Sequence, residues 1–208
     1  VVENYENQFL DFIQREMQQD LAHDINHVLR VVKTAKFLCE AESAVIDVVI
    51  PAAYLHDCFS FPKNHPDRSQ SSKIAAGKAL SFLSSIGYPA EYLPAISHAI
   101  MAHSFSANIK PETLEAKIVQ DADRLDALGA IGIARCIQVN TNLGVNFYSV
   151  DDPFCKQREP DDRRHAIDHF YSKLLKLSGT MNTASAKVEA EKRTSFMQLY
   201  LEQLGTEI

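Results

Sequence analysis

Apolar residues return every three or four positions through most of this chain, and little interrupts them. That spacing is the period of an α-helix with one buried face. Glycine occurs 7 times and proline 8 times in 208 residues, so long segments run without a helix breaker. Residues 3–20 set Tyr5, Phe9, Phe12, Ile13 and Met17 on one face. A second helix starts with Asp24 as N-cap and runs to about Glu40, burying Val28, Val31, Val32, Ala35 and Leu38. A third spans roughly Ser43 to Asp57; it is apolar nearly all round, which predicts a central place in a bundle. After the loop FSFPKNHPDRS a helix follows from about Ser69 to Ile86, closed by Gly87. Pro89 opens a helix covering Tyr92 to His103, and Pro111 opens another that reaches about Val139, weakened by Gly129 and Gly132. The polar, turn-rich stretch from Asn140 to Arg164 reads as a long loop, of the kind that often forms a lid or binding loop. Helices near 161–177 and 182–204 finish the chain, and no segment alternates as a strand. The expectation is an all-α fold in a single domain over 1–208, with its core at about 20–140 and a lid loop and C-terminal helices at about 141–208.

A hydrophobic share of 46% suffices for a core. The net charge is −6, from 27 acids and 21 bases, which argues against an extended nucleic-acid surface. Cys39, Cys58, Cys136 and Cys155 form no C-x-x-C pair and read as reduced thiols of a cytoplasmic protein. The first residues are acidic and amphipathic, unlike a secretory signal, and the most apolar run is interrupted by Asp47 and Pro51, so no membrane span is expected.

The chemistry concentrates in three places. His56-Asp57 ends the most apolar helix, where buried charge must be paired or must coordinate a metal. Adjacent residues on a regular helix diverge by about 100°, but at a helix end both can turn toward one ion. HDINHVLRVV puts His23 and His27 at i and i+4; Val28, Val31 and Val32 draw His27 toward the core, while His23 stays open between ligand and surface residue. In KIVQDADRLDALGAIGIAR, Asp121, Asp123 and Asp126 are embedded among Ile118, Val119, Ala122, Leu125 and Ile131. Asp123 and Asp126 share a face and Asp121 lies opposite; the alternative is a solvated acidic face partnered by Arg124 and Arg135.

The order His…His-Asp…Asp on separate helices resembles the HD-domain metal-dependent phosphohydrolase superfamily. The segments HDINHVLRVV, AAYLHDC, KNHPDRSQSS, AISHAIMAHSFSA and EAKIVQDADRLDALGAIGIAR are similar to its bacterial YedJ/YpgQ-type branch, over residues 20–180. The resemblance implies an HD-domain helical bundle, with His27, His56, Asp57 and Asp123 as metal ligands. Asp123 is preferred because the superfamily's last Asp usually follows Ala, as in Ala122-Asp123; Asp121 is the competing choice. Two imidazoles and two carboxylates suit Mn²⁺, Mg²⁺, Fe²⁺ or Co²⁺. The implied activity is hydrolysis of phosphate esters or anhydrides, with nucleotides as the expected substrates and nucleoside triphosphate pyrophosphohydrolysis one form of it. Asp57 is also a candidate proton acceptor, as many proposals for the superfamily have it.

Lys63 and Arg68, in the loop after the pair, and Arg30 are the candidate phosphate partners, with Arg124 behind them. His98 and His103 are five apart, about 140° around a helix, so at most one reaches the site; His103 is taken as the candidate proton donor. His65 reads as a surface residue, and His165 and His169 lack the Glu of an H-E-x-x-H zinc motif. Gly87-Tyr88-Pro89 spells the signature of the cyclic-dinucleotide phosphodiesterases of the superfamily, but without the expected adjacent histidines it reads as a helix end and start. Two alternatives stay open: a phosphodiesterase of the same superfamily, and a non-catalytic metal or nucleotide sensor.

Overall fold

A computed structural model of the protein describes residues 1–17, 24–62 and 65–208. Among them the chain is all-α; the one β-type pairing is a single bridge between Asn146 and His165. No described helix is long and apolar enough to cross a membrane. The chain divides into two compact units, Val1–Asp123 and Arg124–Ile208.

The first unit holds α1 (Glu6–Glu16), α2 (Ile25–Glu42), α3 (Ile46–Leu55), α4 (Ser71–Ser85), α5 (Leu93–His103) and α6 (Leu114–Leu125), the last ending two residues past the boundary. As its apolar composition predicts, α3 is the centre. It packs against α1, α2, α4 and α5, and Val48 to Leu55 are all buried. Pro51 sits inside it and has no N–H to give to the carbonyl of Asp47, four residues back. The hydroxyl of Tyr88 donates to that carbonyl instead, at 2.7 Å. Tyr88 follows Gly87, whose φ of +71° turns the chain out of α4; the Tyr88 amide bonds back to Leu83 at 2.9 Å. The Gly-Tyr-Pro tripeptide is therefore a helix exit that braces the proline of α3.

α2 starts where expected. The Asp24 side chain accepts from the amide of His27 at 2.8 Å, and Ser43 closes the helix in the left-handed region at φ 56°. Of the helix expected over 3–20, the described part is a 3-10 turn at Val2–Asn4 followed by α1, which ends before Met17; residues 18–20 lie outside the described residues.

The second unit corrects two boundaries. The helix expected from Pro111 to Val139 is two helices, α6 and α7 (Gly129–Asn142), separated at Asp126–Leu128. Gly129 has φ +72°, and a Cβ on Gly132 would fall 2.2 Å from the Ala127 carbonyl oxygen. The glycines are there because the chain turns and passes close to itself, which α-helical weakening alone does not express. The helix expected at 161–177 is a short α8 (Asp168–Ser172) followed by a 3-10 turn at Leu174–Thr180. α9 (Ala184–Gly205) is capped by the Thr183 side chain, which accepts from Ala186, and packs on α7. Between α7 and α8 the long loop is braced from within. Asp152 accepts from the amides of Lys156 and Gln157 at 2.9 and 2.8 Å. Arg158 donates to the fully buried Asp168 at 2.7 Å.

Candidate metal centre

Four elements of the first unit carry polar groups to one place. His27 stands in the first turn of α2, fixed by the Asp24 cap. His56 and Asp57 follow directly on the end of α3, where the loosened geometry lets both side chains turn the same way. His103 is the last residue of α5, and Asp123 lies in the last turn of α6.

His27 Nε2 is 3.7 Å from Asp57 Oδ2 and 3.4 Å from Asp123 Oδ1. His56 Nε2 is 3.5 Å from Asp57 Oδ2 and 4.0 Å from Asp123 Oδ1. Good N–H···O hydrogen bonds run at about 2.7–3.2 Å, so these separations are too long. They suit donors around one ion: donors about 2.0–2.2 Å from an ion stand roughly 2.8–3.6 Å from their neighbours and about 4.2 Å across it. The 3.4 and 3.5 Å separations fall within the edge range, and those of 3.7 and 4.0 Å between edge and diameter.

The ring chemistry agrees. His56 is 0% exposed, and its Nδ1 lies 2.8 Å from the carbonyl of Ala53. A carbonyl only accepts, so Nδ1 carries the proton and Nε2 faces the cluster. That buried Nε2 has no hydrogen-bond partner among the described residues. Burial pulls the His56 pKa below the usual imidazole value, more than Asp57 raises it, and favours the neutral ring with a bare lone pair. A buried, oriented and unbonded imidazole nitrogen beside two carboxylates is the donor set a divalent ion needs. His27, His56 and Asp57 offer donors within 4.8 Å of one another and can hold such an ion, with Asp123 approaching both imidazoles. Burial works against charge on Asp123, but the His27 imidazole beside it, with those of His56 and His103, holds its carboxyl well below the usual range.

His103 is placed differently. Its Nε2 is 3.6 Å from Asp57 Oδ1, the other carboxylate oxygen, and its Nδ1 donates to Ile100 at 2.6 Å. Burial lowers its basicity, yet Asp57, Asp123 and the Ile100 carbonyl together outweigh that and the pKa is raised. Its ring packs edge-on to His56, with centroids 4.8 Å apart.

Of the remaining histidines, His98 accepts from the Glu112 amide at 3.0 Å, so of the α5 pair His103 is the one beside Asp57. His65 stacks on Phe61 with centroids 4.2 Å apart and accepts from the Asp67 amide. His169 bonds Asp162 at 2.8 Å. Arg68 donates to the Phe61 carbonyl at 2.6 Å and so pins the loop after the His-Asp pair. Arg30 is half-buried on α2. Arg124 donates to Thr180 at 2.8 Å, and buried Asp126 pairs with Arg135 at 2.8 Å, a structural bridge. Asp121 is fully buried, and the aspartate that approaches His27 and His56 is Asp123. His23 and Lys63 lie outside the described residues. Sequence reasoning missed Ser72 and Gln120, two buried polar residues that bond to the end of α5; a polar residue on a buried helical face was the available signal.

Residues 24–128, which include His27, His56, Asp57, His103 and Asp123, match the HD domain family, and the chain belongs to it. It is 34% identical to the uncharacterized protein YpgQ of Bacillus subtilis over 190 residues, 89% of this chain and 84% of that one. The crystal structure of Bacillus subtilis YpgQ in complex with ADP is similar with a TM-score of 0.76 at 32% identity, covering 99% of this chain and 96% of that chain. An HD-superfamily hydrolase from Bacillus thuringiensis is similar with a TM-score of 0.78 at 33% identity, covering 100% and 98%.

Proposed function

We propose that the protein is a metal-dependent phosphohydrolase that acts on nucleotides, with nucleoside triphosphate pyrophosphohydrolysis as its specific form. The observation that carries the reading is the buried His27–His56–Asp57 cluster with the unbonded Nε2 of His56. The ADP bound by Bacillus subtilis YpgQ supports a nucleotide as the substrate class. The donor set of two imidazoles and two carboxylates favours Mn²⁺, Mg²⁺, Fe²⁺ or Co²⁺, with positions left for water. Bound there, such an ion polarises a phosphoryl oxygen and lowers the pKa of a water.

The chain's own residues do the rest. His27, His56, Asp57 and Asp123 hold the ion's place. Asp57 uses Oδ2 toward the two imidazoles and keeps Oδ1 on the His103 side, where it accepts the proton of the attacking water. His103, made more basic by Asp57, holds a proton for the leaving oxygen. Arg68 keeps guanidinium donors beyond the one given to Phe61, and with Lys63 and Arg30 it neutralises the phosphates.

The test pairs metal content with a screen for phosphate and pyrophosphate release across nucleotides, on wild type and Asp57→Ala. The reading expects about one ion per chain and metal-dependent pyrophosphate release, both lost in the variant. Bound metal without turnover of any phosphorylated compound leaves a sensor. Full activity in Asp57→Ala at equal metal loading refutes the assigned chemistry.

A further inference from the structure

The last four carbonyls of a helix have no partner inside it. In α5 these belong to Ile100, Met101, Ala102 and His103. Ile100 accepts from the ring of His103 itself at 2.6 Å. Met101 accepts from the hydroxyl of Ser72 on α4 at 3.0 Å. Ala102 accepts from Nε2 of Gln120 on α6 at 2.7 Å. Ser72 and Gln120 are both buried, where an unbonded polar group is costly and a bonded one is held in place.

We propose that Gln120 is a positioning residue for His103, acting through the end of α5. Gln120 stands three residues before Asp123 on α6, so one side chain ties the helix end that carries His103 to the helix that carries Asp123. Its length suits the task, because the amide reaches a backbone carbonyl on the neighbouring helix. His103 Nε2 stands 3.6 Å from Asp57 Oδ1, and slack at the end of α5 changes that separation directly. Small misplacements of a reacting group are expensive in rate. The kinetic part of this inference rests on the reading of His103 given under the proposed function; the placement of the ring does not.

Gln120→Met keeps length and volume and removes the donor. The ring ¹H and ¹⁵N resonances of His103 should shift in this variant, and kcat should fall about tenfold. KM and Mn²⁺ affinity should change by less than kcat, within about twofold, because His27, His56 and Asp57 lie outside α6 and the bond removed is the one to the end of α5. The double variant His103→Ala/Gln120→Met should lose no more than His103→Ala alone, since a positioning effect vanishes with the group it positions. Ser72→Ala, at the adjacent carbonyl, should act in the same direction more weakly, and it carries the test where Gln120→Met does not fold. Unchanged His103 resonances in the folded variants, or losses that multiply in the double variant, overturn the proposal. If the wild type hydrolyses no nucleotide, the proposed function fails, while the resonances still decide the role of Gln120.

Discussion

Asp57→Asn separates a metal centre from an ordinary cluster of buried polar residues. The substitution keeps the shape and removes the charge. Without metal, Asp57 and Asp123 are two carboxylates approaching the same pair of imidazoles, at 3.4–4.0 Å. Removing one charge relieves like-charge repulsion and lowers the cost of desolvation, while it also takes away the partner of His103. These effects oppose each other, so the metal-free variant should melt within a few degrees of metal-free wild type. With metal the outcome differs. An ion bound only by the folded state, at a hundredfold excess over its Kd, stabilises by about 2.7 kcal/mol. For a chain of this size, each kcal/mol moves the melting temperature by roughly 2–4 °C, so the wild type should gain about 5–10 °C. The assay is thermal unfolding with and without Mn²⁺, followed by a probe that reports the first unit. Wild type should show the shift and Asp57→Asn should not. A wild type that fails to respond refutes the metal reading, and so does a variant that responds equally.

Two further predictions concern the scaffold. Tyr88→Phe should cost about 1–3 kcal/mol in denaturant unfolding, because it strips the donor from the Asp47 carbonyl that Pro51 leaves unpaired; adding Pro51→Ala should recover part of that loss by restoring the helical amide, and no recovery would refute the explanation. Asp168 is pushed up by burial but held below the usual carboxylate range by Arg158 and the Asp161 amide; its contribution to stability is present above the unfolded-state pKa and lost as pH falls through the folded one. Urea midpoints should therefore fall with acid below about pH 4 more steeply in wild type than in Asp168→Asn, and parallel slopes would refute it.

Much of the fold was legible because α2, α3 and α4 each obey one rule. Asp24 caps α2, the apolar run from Val48 to Leu55 buries α3, and Gly87 ends α4. The candidate metal centre was legible for a related reason: histidine and aspartate inside apolar helices are costly unless paired or ligating, and His27, His56 and Asp57 come together with Asp123 beside both imidazoles. Periodicity failed where the constraint was a contact rather than a pattern. An apolar stripe continues through Asp126–Leu128, yet Gly132 needs the Ala127 carbonyl close against it, and only the folded path reveals that. The same holds for Gln120. In sequence it is one polar residue before the DAD tripeptide, with nothing to say that its partner is a carbonyl 18 residues away at the end of α5. Metal ligands announce themselves by residue type, because few side chains can do their work. Residues that aim those groups act through backbone atoms, which every residue possesses, so their partners appear only once the helices are packed.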